Sequence, residues 1–276
     1  MYTTETLAPT CGCRPDPQIT PPALDGVSVS SPHPENSGAR LRTAGLVGGL
    51  GPESTVDYYR MILHLWKQRH PSSLPHLVID SLDVNLGIRL VQGDRPGLVR
   101  YLLDSIRRLE RAGCDFAAMA ANTPHIVFDE LAAESPIPLL SIVECCADAV
   151  EFRGLRRVGL LGTGFTMGAG FYPTVLGRRG IDVVLPDEQR RAWLHDRYLT
   201  ELLDGDFTDE TRDGVTRIVE DWAERGDVDA VILAGTELPL LIRADSLAGL
   251  PLLDTTEIHV QAIVERLEEP VAQAAI

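Results

Sequence analysis

The stretches Gly45-Leu-Val-Gly-Gly49 and Gly159-Leu-Leu-Gly-Thr163 stand 114 residues apart. At that spacing Asp115-Phe-Ala-Ala-Met-Ala-Ala-Asn-Thr123 aligns with Asp229-Ala-Val-Ile-Leu-Ala-Gly-Thr-Glu237. A third pair, Ile137-Pro-Leu-Leu-Ser141 and Leu250-Pro-Leu-Leu-Asp254, fits at a spacing of 113. Three matches in one order indicate two copies of one unit, and so long a period means duplication of a domain rather than a solenoid.

Around these anchors, short apolar runs alternate with amphipathic stretches. Strands are expected over 44–48, 76–81, 115–120, 137–141, 157–162, 181–185, 229–234 and 250–253. Helices are expected over 53–68, 95–112, 124–133, 143–152, 166–178, 187–203, 208–226 and 256–268. Such alternation predicts parallel sheets with crossover helices on both faces. The expected fold is α/β: two similar Rossmann-like domains related by a pseudo-twofold duplication, with a site in the cleft between them. Residues 1–42 are rich in Pro, Ser, Thr and Gly and are expected to be a disordered leader. The first domain is expected over 43–152 and the second over 153–255, with the seam near Glu151–Arg156 and a C-terminal helix of about 256–276 packing back on the first domain.

Formal net charge is −15, a background that disfavours nucleic acid and anionic membrane surfaces as partners. No apolar run nears the ~20 residues of a membrane span, and no basic segment followed by an apolar stretch marks a secretory signal. The five cysteines, Cys11, Cys13, Cys114, Cys145 and Cys146, have a spacing that suits no disulfide framework, and Cys11-Gly-Cys13 has no second pair for zinc. A reducing, cytoplasmic setting is expected.

Ligands of open parallel sheets bind beyond the carboxyl ends of the strands, where the matched loops lie. Gly48-Gly-Leu-Gly-Pro-Glu-Ser-Thr55 follows a strand and opens a helix. Its glycines admit close backbone approach, although its spacing fits neither nucleotide-binding fingerprint. Gly51, Pro52, Glu53 and Ser54 are therefore candidates for binding a substrate, and a tight turn with a capped helix is the plainer alternative. Asn122, Thr123, Thr163, Thr166 and Thr236 offer short polar side chains for a carboxylate or an ammonium, or serve as caps. His125 is a candidate acid or base, and Cys145 with Cys146 opens a helix where a thiol can be activated.

As a set and in their order, several segments resemble the aspartate racemase branch of the aspartate/glutamate racemase family. They are Gly45–Tyr59, Met119-Ala-Ala-Asn-Thr-Pro-His125, Gly159-Leu-Leu-Gly-Thr-Gly-Phe-Thr-Met167 with Phe171-Tyr172, Leu233-Ala-Gly-Thr-Glu-Leu238 and Leu253-Asp-Thr-Thr-Glu-Ile-His259. The resemblance implies work without a cofactor on a small carboxylate-bearing substrate, and a homodimer. It also implies two thiols flanking the substrate α-carbon, placed immediately before Asn-Thr and immediately before Thr-Glu. Those positions hold Ala121 and Gly235, and position 164, where a basic residue is expected, holds Gly164. Glu237 is the first candidate to replace the thiols, followed by Glu53, Glu144, Asp83, His125 and the pair Cys145/Cys146. Altered chemistry at the α-carbon, such as one-sided deprotonation, elimination or decarboxylation, is one expectation. A catalytically silent relative binding a small carboxylate or a partner protein is another, and residual racemisation a third.

Overall fold

The structure is a computed structural model describing residues 40–271. Most of the expected leader, with Cys11 and Cys13, lies outside the described residues, as do 272–276.

The first half runs β1 (Thr43–Gly48), α1 (Pro52–Arg69), β2 (His76–Ser81), α2 (Val84–Gly93), α3 (Arg95–Arg111), β3 (Phe116–Met119), α4 (Phe128–Glu134) and β4 (Leu139–Leu140). It is followed by α5 (Ile142–Phe152), β5 (Arg157–Gly162), α6 (Gly164–Gly168), α7 (Phe171–Gly177), β6 (Asp182–Val184) and α8 (Glu188–Thr200). The chain closes with α9 (Asp209–Arg225), β7 (Ala230–Ala234), α10 (Leu238–Ile242), β8 (Ser246–Leu247), β9 (Leu250–Asp254) and α11 (Thr255–Glu268).

The two sheets have the same parallel order, β2-β1-β3-β4 and β6-β5-β7-β9, with β8 added antiparallel at the end of the second. Their central registers coincide at the repeat spacing. Ala44 pairs with Phe116 in the first half, and Val158 with Ala230 in the second. The duplicated aspartates explain this register. Asp115 accepts from the Thr43 amide at 2.7 Å, and Asp229 accepts from the Arg157 amide at 2.8 Å, so each pins the start of the neighbouring strand.

Side chains alternate across strands buried on both faces, as parallel sheets require. Ala118 faces one core of the first half while Ala117 and Met119 face the other. Ile232 and Leu233 divide the second half in the same way. The fold is thus the duplicated α/β architecture that the repeats imply.

Several elements differ from the expected pattern, among them α10 and β8, which have no expected counterpart. The long helix expected over 166–178 is broken between α6 and α7, because Gly170 adopts a left-handed φ of 79°. The helix expected from 124 begins as a 3-10 turn, Thr123–Val127, before α4. The helix α2 has no counterpart among the expected elements: Gly87 inside it disguises a helical pattern that Asp83 caps by accepting from the Asn85 amide.

Helix packing crosses between the two halves. α5, assigned by position to the first half, buries Ile142, Cys146 and Val150 against Val158 and Leu160 of β5. α11 does the converse, burying Val260, Ile263 and Leu267 against Leu46 of β1 and Tyr58 of α1. Each half therefore gives its last helix to the other.

Candidate active site

The carboxyl ends of β1, β3, β5 and β7 converge on a small cavity of about 60 Å³. Ala121, Asn122 and Thr123 line one side, and Gly235, Thr236 and Glu237 line the other. The two equivalent loops thus face each other.

Hydrogen bonds join these loops across the seam. The Thr123, Thr163 and Thr166 hydroxyls lie 3.1 Å from one another. Asn122 donates to Thr255 Oγ1 at 3.1 Å and accepts from the Tyr172 hydroxyl at 2.6 Å. The Ser54 hydroxyl donates to Glu237 Oε1 at 2.8 Å and lies 2.6 Å from Thr236 Oγ1. Thr236 also reaches both carboxylate oxygens, at 3.2 Å each.

Glu237 is buried, and burial raises its carboxyl above the usual range, with the Ser54, Thr236 and own-amide hydrogen bonds opposing that shift. A carboxyl so placed exchanges protons nearer neutral pH than an exposed one. Gly51 makes room for it: a Cβ there would lie 2.5 Å from Glu237 Oε1. Pro52 occupies the first turn of α1, while Glu53 is exposed and does not line the cavity.

Of the acid–base candidates, only Glu237 lines the cavity. His125 is buried, with Nδ1 3.2 Å from the Ala121 and Asn122 carbonyls, and its Nε2 accepts from the Ile142 amide at 3.3 Å. Both nitrogens are engaged in holding the loop, and burial pushes the imidazole down to about 4. Cys145 lies on α5 away from the cavity, its thiol pushed up to about 12, chiefly by burial. Cys146 is core. Asp83 caps α2, and Glu144 pairs with Arg179 at 2.7 Å.

Two residues of α8 were not legible as site residues. The Tyr198 hydroxyl points at Gly235, where a Cβ would lie 1.8 Å from it, a bond length rather than a contact. It is buried beside the Leu238 amide. The His195 ring covers Gly164, where a Cβ would lie 2.8 Å from Cγ, and its Nδ1 accepts from the Gly164 amide at 3.2 Å. Burial lowers the imidazole, with Asp196 opposing. The space above both glycines is thus filled from one helix, at an i, i+3 spacing that repeats one face.

The Asp/Glu/hydantoin racemase family model matches residues 47–263. The chain belongs to this family. It is 27% identical over 156 residues to the broad specificity amino-acid racemase RacX of Bacillus subtilis (strain 168), covering 54% of this chain and 66% of that protein. It is 31% identical over 187 residues to a glutamate racemase of Thermus thermophilus, covering 65% of this chain and 66% of that one. The match therefore spans just under two thirds of each relative's length. Among solved structures, an aspartate racemase homologue from Pyrococcus horikoshii OT3 superposes with a TM-score of 0.71 at 33% identity, covering 83% of this chain and all of that one. The Picrophilus torridus aspartate racemase gives 0.68 at 25%, covering 82% of this chain and 94% of the other. Among the described residues, no helix is long and apolar enough to cross a membrane.

Proposed function

We propose that this racemase-family protein acts at the α-carbon of a small amino acid by one-sided proton chemistry, with Glu237 as the base. The observation that carries this reading is the buried Glu237 carboxylate, the only ionisable side chain among the described residues that line the cavity. Racemisation needs a second group on the opposite face, and there the cavity wall is the methyl of Ala121.

The lining also bears on the substrate's side chain. Val84, Ile88, Val91, Phe165, Leu199 and Leu203 make the wall apolar. A second carboxylate would find no cation among the described lining residues and would sit beside Glu237, a combination that costs several kcal/mol for an unpaired buried ion. His195, which covers Gly164, is held toward its neutral form. A neutral, apolar amino acid fits this cavity better than a dicarboxylic one.

The test is α-hydrogen exchange in deuterated water, followed by NMR over a panel of amino and dicarboxylic acids. Exchange is expected with apolar amino acids ahead of aspartate and glutamate, and Glu237→Gln is expected to lower it by about 10²–10⁴-fold, the usual range for a positioned base. No exchange and no consumption of any panel member would remove the reading. A binding-only protein is the second reading, favoured by the absence of a thiol at both 121 and 235. It predicts a ligand-induced rise in Tm without turnover, surviving Glu237→Gln.

A further inference from the structure

The apolar wall of the cavity has a gap that the acid–base reading leaves unexplained. α2 contributes Val84, Gly87, Ile88 and Val91 to the lining. Their spacing, i, i+3, i+4 and i+7, is that of one helix face, and 87 is the one position of the four without a side chain. The second half adds Leu199 of α8 and Leu203, in the 3-10 turn that follows.

Nothing in the fold calls for glycine at 87. It lies inside a helix, where glycine is less stable than alanine, and it is not among the left-handed glycines. No backbone crosses close to it. Beyond its chain neighbours and the backbone of α2, the one atom that an added Cβ would meet within 4 Å is Leu50 Cδ2, at 3.1 Å. That atom is the tip of a rotatable side chain that itself lines the cavity. Gly87 is nevertheless the only buried residue of α2. The space beside it belongs to the cavity and is not filled by a packed neighbour.

We propose that Gly87 is a specificity-determining residue: the notch it leaves in the apolar face of α2 receives the substrate's side chain, and the substrate is a neutral amino acid with an aliphatic side chain longer than a methyl group. This proposal rests on the α-carbon reading above for where the substrate sits. The lining sorts as an amino acid does. Glu237, Thr236, Asn122, Thr123 and Thr163 stand on strand-end loops, where the α-hydrogen, ammonium and carboxylate find polar partners. The side chain then extends toward α2. Alanine would leave the notch empty. Valine or leucine would place methyl groups in it, removing apolar surface from water on both sides. In a cavity of about 60 Å³, a methyl group at 87 takes room that such a side chain needs.

The test compares Gly87→Ala with the wild type in α-hydrogen exchange of alanine, valine and leucine. One methylene in an apolar pocket changes kcat/KM by about 10–200-fold. The wild type is expected to favour leucine and valine over alanine, and Gly87→Ala to lower the leucine-to-alanine ratio of kcat/KM by about that factor. An unchanged ratio overturns the proposal, even where both rates fall. Tm without ligand should equal or exceed that of the wild type, because alanine favours the helix and the Leu50 tip can turn aside. A marked fall in Tm would show that the fold demands glycine at 87, which also overturns the proposal. If the wild type exchanges none of the three, the base reading falls, and the notch is read from ligand-induced Tm alone. Leucine raising the wild-type Tm more than alanine does, and losing that advantage in Gly87→Ala, supports it. Equal rises, or no rise with either, overturn it.

Discussion

Replacing Ser54 by alanine isolates the contact that ties the first half of the molecule to Glu237. The lost hydrogen bond is buried at both ends, 2.8 Å long and made to a carboxylate. Hydrogen bonds to charged groups contribute about 1.5–3 kcal/mol. Because the charged form loses more than the neutral form does, the Glu237 carboxyl moves further above its ordinary value. For a chain of this size, the destabilisation lowers Tm by about 3–12 °C. The sign with pH follows from linkage. The Glu237 carboxyl is already raised in the folded state, so on acidification it protonates before the unfolded chain does, and Ser54→Ala moves it higher still. The deficit is therefore full above both folded values and shrinks as pH falls through them, leaving about 1 kcal/mol for the neutral hydrogen bond. Urea unfolding of both proteins over a pH series reads this directly. A deficit that does not change with pH, or no deficit at alkaline pH, would refute the placement of the carboxylate.

Gly51→Ala should displace the Glu237 carboxylate, since the new Cβ would lie 2.5 Å from Oε1; an exchange rate equal to wild type would show that the carboxylate needs no such room. Restoring thiols by Ala121→Cys with Gly235→Cys should fail to give racemase activity and should lower Tm, because the second thiol collides with Tyr198. Adding Tyr198→Phe should recover part of that Tm, and equal stabilities with and without it would count against the collision. His125 and His259 are buried and lowered to about 4 and about 3, so they stay neutral in the fold while the unfolded chain binds protons near pH ~6.5. Each should cost ~1.4 kcal/mol of stability per pH unit as pH drops from about 6.5 toward 4, and their ring shifts in NMR should stay flat from about pH 8 to about pH 5. A midpoint within that range for either ring would refute its burial as neutral.

The duplication was legible because strand ends carry dense information: small residues, turns and apolar runs fall at fixed intervals in both copies. The position of Glu237 followed from the same spacing. The cavity wall was not legible. Val84, Ile88 and Val91 belong to α2, whose glycine made a helix read as a loop. Tyr198 was hidden for a different reason. It lies on a helix whose apolar face reads as plain core, and only the missing Cβ at position 235 gives its hydroxyl a direction. His125 showed the opposite ambiguity, since a histidine beside a site loop and one bracing that loop have the same sequence context. Its two carbonyl partners and the Ile142 amide distinguish the cases here.

The traded helices make the two halves mutually dependent. A chain cut in the link between α5 and β5 would leave the first fragment with the apolar face of α5 uncovered, and with Leu46 and Tyr58 stripped of their cover. Neither fragment would hold a closed core, so unfolding should be a single event rather than two. The halves are tied together as domain-swapped chains are, each closing its core with the other's last helix, so the cavity between them opens only if that exchange is undone.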